Sequence, residues 1–288
     1  MKVSGFTFVR NAVKYDYPVT EAIRSILPLC DEVIVSVGNS DDGTEALIRS
    51  IDSPKIRITH SVWDDTLKEG GRVLAVETDK AFKEVSPDAD WAFYIQADEV
   101  VHEKDYDNIR KAMARYKDDP KVEGLLFNYV HFYGSYDYVG DSRTWYQREI
   151  RIIRNDKNIA SYRDAQGFRK HDQKLHVKRV DASIHHYGWV KDPRQQASKL
   201  NNSHQLYHGD NGVPQSAAEP FDYSGIDSLA LFKGTHPAVM QQRINSRNWK
   251  FDFDISRKKF SFKEGLLYWI EKRTGKRLFD YKNYKLLR

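Results

Sequence analysis

The chain of 288 residues has a single cysteine, Cys30, so no disulfide can close within it. It has no apolar run approaching the roughly 20 residues that a bilayer-spanning helix requires. Internal repeats and low-complexity tracts are absent as well. The opening stretch, "MKVSGFTFVRN", reads as a β-strand from the start and lacks the charged-then-apolar pattern of an export signal. One thiol and no such signal make the cytosol the expected compartment. Basic residues are scattered, and no nucleic-acid recognition motif is present, so no nucleic-acid partner is expected. These absences exclude a disulfide framework, a membrane-spanning bundle and a repeat scaffold.

What the chain does have is enough apolar material for a large core. Hydrophobic residues make up 40% and aromatics 13%, with 30% charged. The net charge of +5 suits an anionic partner, though a mildly basic surface without one accounts for it equally well.

Through the first half, strand and helix signals alternate. "VSGFTFVR" is strand-like; Pro18 then opens a helix with Val19, Ala22, Ile23 and Ile26 on one stripe. "EVIVSVG" is a continuous apolar strand closed by Gly38, "TEALIRSI" a short helix, and "KIRITHSV" alternates on a period of two. Leu74, Thr78, Ala81, Phe82 and Val85 share a helical face; "WAFYI" is a strand; Tyr106, Ile109, Met113 and Tyr116 mark another helix; "EGLLFNYVHFY" returns to strand. This order predicts a mostly parallel α/β sheet with helices on both faces, whose ligands gather beyond the carboxyl ends of the strands. Asp98 and Glu99 stand at such an end. Beyond residue 134 the alternation stops. "GSYDYVGDSRTW" reads as a loop, "REIRIIRN", "KLHVKRV" and "SIHHYGWV" as three strands, and "DPRQQASKLNNSHQLYH" as a helix. Residues 209–225 read as a connecting loop and the tail from Phe260 as helical.

Four segments carry chemistry in order: "GFTFVRN" (5–11), "NSDDGT" (39–44), "QADE" (96–99) and "IHHYGW" (184–189). Singly, each has a plainer reading as a turn, a capped helix start or hydrogen-bonded strand histidines. Together, over residues 1–208, they resemble the GT-A glycosyltransferases of the family-2-like group. The resemblance implies a Rossmann-like GT-A domain over 1–208 that binds a nucleotide sugar, UDP- or GDP-linked, with 209–288 as connecting loop and C-terminal helical extension. It assigns donor contacts to Phe8, Arg10, Asn11, Ser40, Asp42 and Gln96, and a divalent cation (Mn²⁺ or Mg²⁺) to Asp98 and His186. Such a cation would neutralise charge on the departing diphosphate. The chain departs from the pattern at Gly38, where relatives carry an aspartate, and at Gln96, which replaces the first acid of D-x-D.

An inverting transfer also needs a base. The resemblance places it after "IRIIRN", where Asp164 is the candidate, with Glu149 and Asp137 as alternatives. Arg151 and Arg154 alternate along that strand and could meet phosphate. The implied acceptor is a glycan or lipid-linked hydroxyl in bacterial surface polysaccharide assembly. A sugar-phosphate nucleotidyltransferase is the competing enzyme, but "VRNAVKYDYP" lacks the glycine cluster expected of one. A catalytically inactive nucleotide-sugar or basic binding module is the third reading. In the tail, Phe262, Leu266, Trp269 and Ile270 form a helical stripe rimmed by lysines and arginines. The expected arrangement docks the stripe on the catalytic core; the alternative is peripheral contact with a membrane.

Overall fold

The computed structural model describes residues 1–67, 70–208 and 219–288. Its strands are β1 (Val3–Val9), β2 (Glu32–Val37), β3 (Ile56–His60), β4 (Trp91–Tyr94), β5 (Glu99–Val101), β6 (Gly124–Tyr133), β7 (Ser135–Gly140), β8 (Arg148–Arg154), β9 (Ile159–Tyr162), β10 (Gly167–Lys170), β11 (Gln173–Lys174), β12 (His176–Trp189), β13 (Leu229–Leu231) and β14 (Lys285–Leu286). The helices are α1 (Val19–Ile26), α2 (Thr44–Arg49), α3 (Arg72–Lys83), α4 (Tyr106–Tyr116), α5 (Pro193–His208), α6 (Gln241–Asn245) and α7 (Phe262–Thr274).

The central sheet runs β3-β2-β1-β4-β8-β6, with β12 beside β6. Strands β3, β2, β1 and β4 pair in parallel. Strand β8 is antiparallel to both neighbours, which returns β6 and then β12 to the common direction. The sheet is therefore mostly parallel, as expected, with one reversed strand in its middle. Side chains alternate between two cores, as a period of two requires. Val33, Val35, Trp91, Phe93 and Phe127 pack with α1, α2 and α4. Phe6, Ile34, Tyr94 and Leu126 pack with α3 and with the small β9–β10–β11 sheet on the opposite face.

Three expectations need correction. "GSYDYVG" is strand β7, paired antiparallel to β6 after a turn at Gly134 (φ 71°). Its glycines and Asp137 read as loop signals, but Tyr136 and Tyr138 alternate inward and are buried. "KLHVKRV" and "SIHHYGWV" belong to one strand of 14 residues, because a bulge between Arg179 and Ser183 absorbs the break in alternation. The apolar stripe of α7 does not dock on the core: Phe262, Leu266 and Trp269 are exposed. Residues 219–288 bring two short strands to the sheet as well as helices, β13 on β7 and β14 on β12. Most of the connecting stretch expected at 209–225 lies outside the described residues.

Candidate functional site

The turn after β4 sends its two carboxylates in opposite directions. Glu99 turns into the core, where Arg151 grips it through two hydrogen bonds of 2.8 and 2.7 Å. The Tyr129 hydroxyl donates to the same carboxylate at 2.8 Å, and the Gln96 amide at 3.1 Å. Arg151 lies over the rings of Tyr94 and Tyr129, at 5.3 and 5.2 Å. Both charges are fully buried, so each needs the other. Glu99 is thereby the strut that fixes the turn, not a spare metal ligand.

Asp98 turns the other way. Its Oδ2 accepts from Lys199 Nζ at 3.0 Å; Lys199 also donates to the Gly188 carbonyl at 2.8 Å. Burial alone would raise the Asp98 carboxyl, but the Lys199 ammonium and its hydrogen bond outweigh burial and hold the group well below the usual carboxylate range. Antiparallel pairing of β5 with β12 sets His186 opposite Glu99, and so beside Asp98. His186 Nε2 stands 3.6 Å from Asp98 Oδ1, too far for a hydrogen bond.

A proton count along the adjoining chain says why that gap matters. His131 Nε2 lies 2.8 Å from the Tyr146 carbonyl oxygen, which can only accept. Burial pushes His131 down to about 3, so it is neutral near pH 7 and its Nδ1 is an acceptor. His186 Nδ1, 3.3 Å away, must then be the donor. His186 is itself held neutral by burial, so its Nε2 presents a lone pair towards the Asp98 carboxylate. Two facing lone pairs with a gap between them suit a cation. Gly188 keeps the gap open: a Cβ there would stand 2.7 Å from Asp98 Oδ2 and 2.8 Å from His186 Nε2. Among the described residues no three His, Cys, Asp or Glu converge on one point, so the protein offers two donors here and leaves the other coordination positions open. The donor set fits a divalent cation on those terms, with His131 orienting the imidazole from behind.

Two cavities meet at this turn. The first, of about 460 Å³, lies beyond the carboxyl end of β1 and is lined by Phe8, Arg10, Asn11, Asp41, Trp63 and Gln96 among others. The second, of about 970 Å³, is lined by Arg72, Asp79, Arg163, Asp164, Lys199 and Tyr207 among others. Asp98, Gln96, Tyr17, Leu74 and Leu206 line both.

The residues expected from the sequence fall into two groups. Phe8, Arg10, Asn11, Gln96 and Asp98 face the first cavity, and Asp164 faces the second. Asp164 Oδ2 accepts from the Tyr207 hydroxyl at 2.7 Å. Its neighbours Arg163 and Ala165 take left-handed backbone, φ 57° and 63°, an unfavourable pair for residues with side chains. His186 reaches Asp98 as described. Ser40 and Asp42 turn inward and hold the loop together: Ser40 Oγ accepts the Asn11 amide at 3.0 Å, and Asp42 accepts the amides of Lys14 and Thr44 at 2.8 and 2.9 Å. Asp41, between them, is the member that lines the cavity. Glu149 is buried beside Gly167 and Asn283, outside the lining of both cavities. Asp137 pairs with Arg247 at 2.7 Å and lines neither cavity. Arg151 serves Glu99 and also borders the second cavity, whereas Arg154 donates to the carbonyls of Tyr116, Lys117, Asp119 and Val122 at the end of α4 and lines neither cavity. His185 points to the face opposite His186 and packs against Phe132 and Phe232.

Gly38 has a steric explanation. A Cβ there would come within 2.4 Å of Trp63 Nε1, so the absent aspartate makes room for an indole. That indole meets Phe8 in a tilted contact at 5.6 Å and carries Arg10 over its ring at 5.6 Å. The sequence reading missed Lys199, Tyr17, Trp63 and His131. A signal for α5 was available: Lys199, Asn202, Ser203 and Leu206 recur at i, i+3, i+4 and i+7, and all four line the cavities.

No family model matches the chain, and no curated protein matches it. Among solved structures it is similar to S. aureus TarS at 14% identity and a TM-score of 0.40, covering 70% of this chain and 39% of that one. It is similar to TarS 1-349 in complex with UDP at 14% identity and a TM-score of 0.39, covering 70% and 64%. Glucosyl-3-phosphoglycerate synthase from Mycobacterium tuberculosis, in complex with Mn²⁺, UDP and phosphoglyceric acid, is similar at 19% identity and a TM-score of 0.31, covering 45% and 43%. At these scores no likeness says what the site does.

Proposed function

We propose that the protein is a glycosyltransferase that moves a sugar from a nucleotide-diphosphate donor to a hydroxyl acceptor. The observation that carries this reading is the position of Asp98. It stands where two separate cavities meet, with an ammonium on one oxygen and an imidazole lone pair facing the other. A group-transfer enzyme needs two substrates and a charged station between them.

The nucleoside fits the first cavity, where Phe8, Tyr15 and Trp63 offer apolar faces and Asn11 and Asp41 offer polar groups. Gln96 can hydrogen-bond a ribose or sugar hydroxyl as a neutral amide. The diphosphate lies at Asp98 and His186, with Lys199 as fixed positive charge. Asp98 Oδ1 and His186 Nε2 would hold a divalent cation, Mn²⁺ or Mg²⁺, and it would supply neutralisation of the leaving diphosphate. The acceptor fits the second cavity, whose Arg72, Asp79, Ser161 and Arg163 suit a polyhydroxylated glycan. Asp164 takes the acceptor proton as the new glycosidic bond forms and the bond from the anomeric carbon to the diphosphate breaks. Attack from the face opposite the leaving group gives inversion. Tyr207 orients the Asp164 carboxylate.

Calorimetric titration with UDP and GDP, with and without Mn²⁺, tests the reading. One nucleotide should bind in the micromolar range, more tightly with Mn²⁺, and Asp98→Asn should abolish the Mn²⁺ increment. No binding of any nucleoside diphosphate under either condition would overturn the proposal. Binding that ignores both Mn²⁺ and Asp98 would remove the cation from it.

A further inference from the structure

Helix α7 is docked inside out. Its hydrogen bonds and ion pairs with the body come from one side, where Leu267 and Ile270 are half-buried: the Tyr268 hydroxyl donates to Asp141 at 2.6 Å, Lys272 pairs with the same carboxylate, and Glu271 pairs with Arg143 at 2.7 Å and accepts from Gln147 at 2.6 Å. Both helix ends are closed. Ser261 and Glu264 form a reciprocal capping box, and Gly275 ends the helix in left-handed backbone, φ 66°. On the outward face Phe262, Leu266 and Trp269 recur at helical spacing, exposed to 91%, 49% and 55%. Arg273 lies over the Trp269 ring at 5.2 Å. Four residues past Gly275, Phe279 takes left-handed backbone, φ 58°, and is 91% exposed. A surface helix of a globular protein ordinarily does the reverse, turning apolar residues inward and polar ones to water.

Charge is concentrated in the same segment. Residues 258–288 hold ten lysines and arginines against three acids, a net +7. The chain as a whole is +5, so the preceding 257 residues come to −2. The cationic excess of the protein thus lies wholly where its apolar side chains face solvent. Four of the basic residues are committed to fixed partners: Lys258 and Lys272 to Asp141, Arg277 to Asp280, and Lys259 to the Ser224 carbonyl. Lys263, Arg273 and Lys276 are exposed beside the stripe.

We infer that α7 and the turn after it form a docking face for an anionic lipid surface. Phe262, Leu266, Trp269 and Phe279 enter the headgroup region shallowly, while Lys263, Arg273 and Lys276 meet lipid phosphates. Apolar insertion and electrostatic attraction add, so removal of either weakens the attachment and removal of both abolishes it. Insertion needs no refolding, because the polar docking contacts lie on the opposite side of the helix. The inference stands apart from the reading of the catalytic site and is measured without donor or acceptor.

The test is co-sedimentation of the full chain with vesicles of equimolar phosphatidylglycerol and phosphatidylcholine, and with phosphatidylcholine alone. The expected result is binding to the mixed vesicles, at least about tenfold weaker on neutral ones and weaker again in about 0.5 M salt. A Phe262→Ser/Trp269→Ser variant, altered at exposed positions, should keep the wild-type melting temperature and lose about tenfold in vesicle affinity. A Lys263→Glu/Arg273→Glu/Lys276→Glu variant should lose as much and no longer respond to salt. Absence of sedimentation with mixed vesicles overturns the inference, as does binding that neither variant reduces. A concentration-dependent dimer in sedimentation velocity, dissolved by the Phe262/Trp269 variant, would assign the face to a second copy and overturn it likewise.

Discussion

The ammonium of Lys199 has two fixed partners, Asp98 and the Gly188 carbonyl, and it borders the second cavity. Its neighbour Lys191 is fully buried and pushed down to about 7, by burial first and by Lys199 next. Lys199→Met should therefore weaken nucleoside-diphosphate binding by about 10- to 100-fold, the worth of a charge-assisted hydrogen bond of about 1.5–3 kcal/mol. Calorimetry decides it: unchanged affinity would leave Lys199 as a partner of Asp98 alone. Asp164 should behave in the opposite way. Asp164→Asn keeps the volume and the Tyr207 contact, so donor affinity should stay within about twofold while the transfer rate falls about 10²- to 10⁴-fold. Equal losses in both would remove Asp164 from the role of base. At this scale legibility was uneven for a definite reason. Asp98 and His186 sit in short motifs whose neighbours fix their direction. Ser40 and Asp42 sit in a loop where the same residue types serve equally well to bond their own backbone, and that use prevailed. The α5 face that carries Lys199 was readable from its helical spacing, but its partners, Asp98 and the Gly188 carbonyl, become visible only in the fold.

Among the elements, β8 shows how arginines among isoleucines on a strand can be misread. Arg151 and Arg154 look free to meet phosphate, but they are three residues apart, so they point to opposite faces, and β8 is interior, between β4 and β6. An interior strand cannot leave a guanidinium unpaired. Arg151 is therefore matched to Glu99, while Arg154 closes the carboxyl end of α4 and stacks on Trp91 at 4.1 Å. Cationic closure of a helix carboxyl end is favourable through the orphan carbonyls and the macrodipole. Arg154→Met should then cost roughly 2–3 kcal/mol in urea unfolding, the sum expected for several charged-donor bonds partly replaced by water. Donor affinity should be unchanged. A loss of nucleotide binding with intact stability would restore the phosphate reading. Strand-helix alternation over the first 133 residues was readable because the inner strands β1, β2 and β4 are covered on both faces and read as continuous apolar runs, while the helices between them show one apolar stripe each. Strand β7 was not, because its alternation is carried by tyrosines between glycines, and its cover, from β13 to Trp249 and Phe251, comes from more than 80 residues further along.

For the molecule as a whole, the buried titrating groups set opposing demands on pH. Glu149 is pushed up to about 8, chiefly by burial, with Arg151 opposing. Between its ordinary value of 4.5 and 8, the unfolded chain has released a proton that the folded chain retains, so this group makes stability fall as pH rises. His185 is the mirror case. Burial pushes it down to about 3, so between 3 and its ordinary 6.5 the unfolded chain binds a proton that the folded chain refuses, and stability falls as pH drops. Each slope is bounded by about 1.4 kcal/mol per pH unit. Other groups titrate over the same range, Lys191 among them, so the wild-type curve mixes their effects; differences between variants do not. Urea unfolding of Glu149→Gln, which keeps the shape and removes the titration, should match wild type below about pH 4.5 apart from a constant offset. It should then gain on wild type steadily up to pH 8 and hold the gain above, by at most about 5 kcal/mol, the bounding slope taken from pH 4.5 to 8. His185→Phe should show its relative gain only below pH 6.5, growing towards pH 3. If the Glu149→Gln difference is flat from pH 4 to 9, the carboxyl titrates as an exposed one does, and the packing of Asn283 and Gly167 over it is looser than the structure places it. If the His185→Phe difference is flat below 6.5, the imidazole is reached by solvent and its place in the aromatic cluster with Phe132, Tyr187 and Phe232 is wrong.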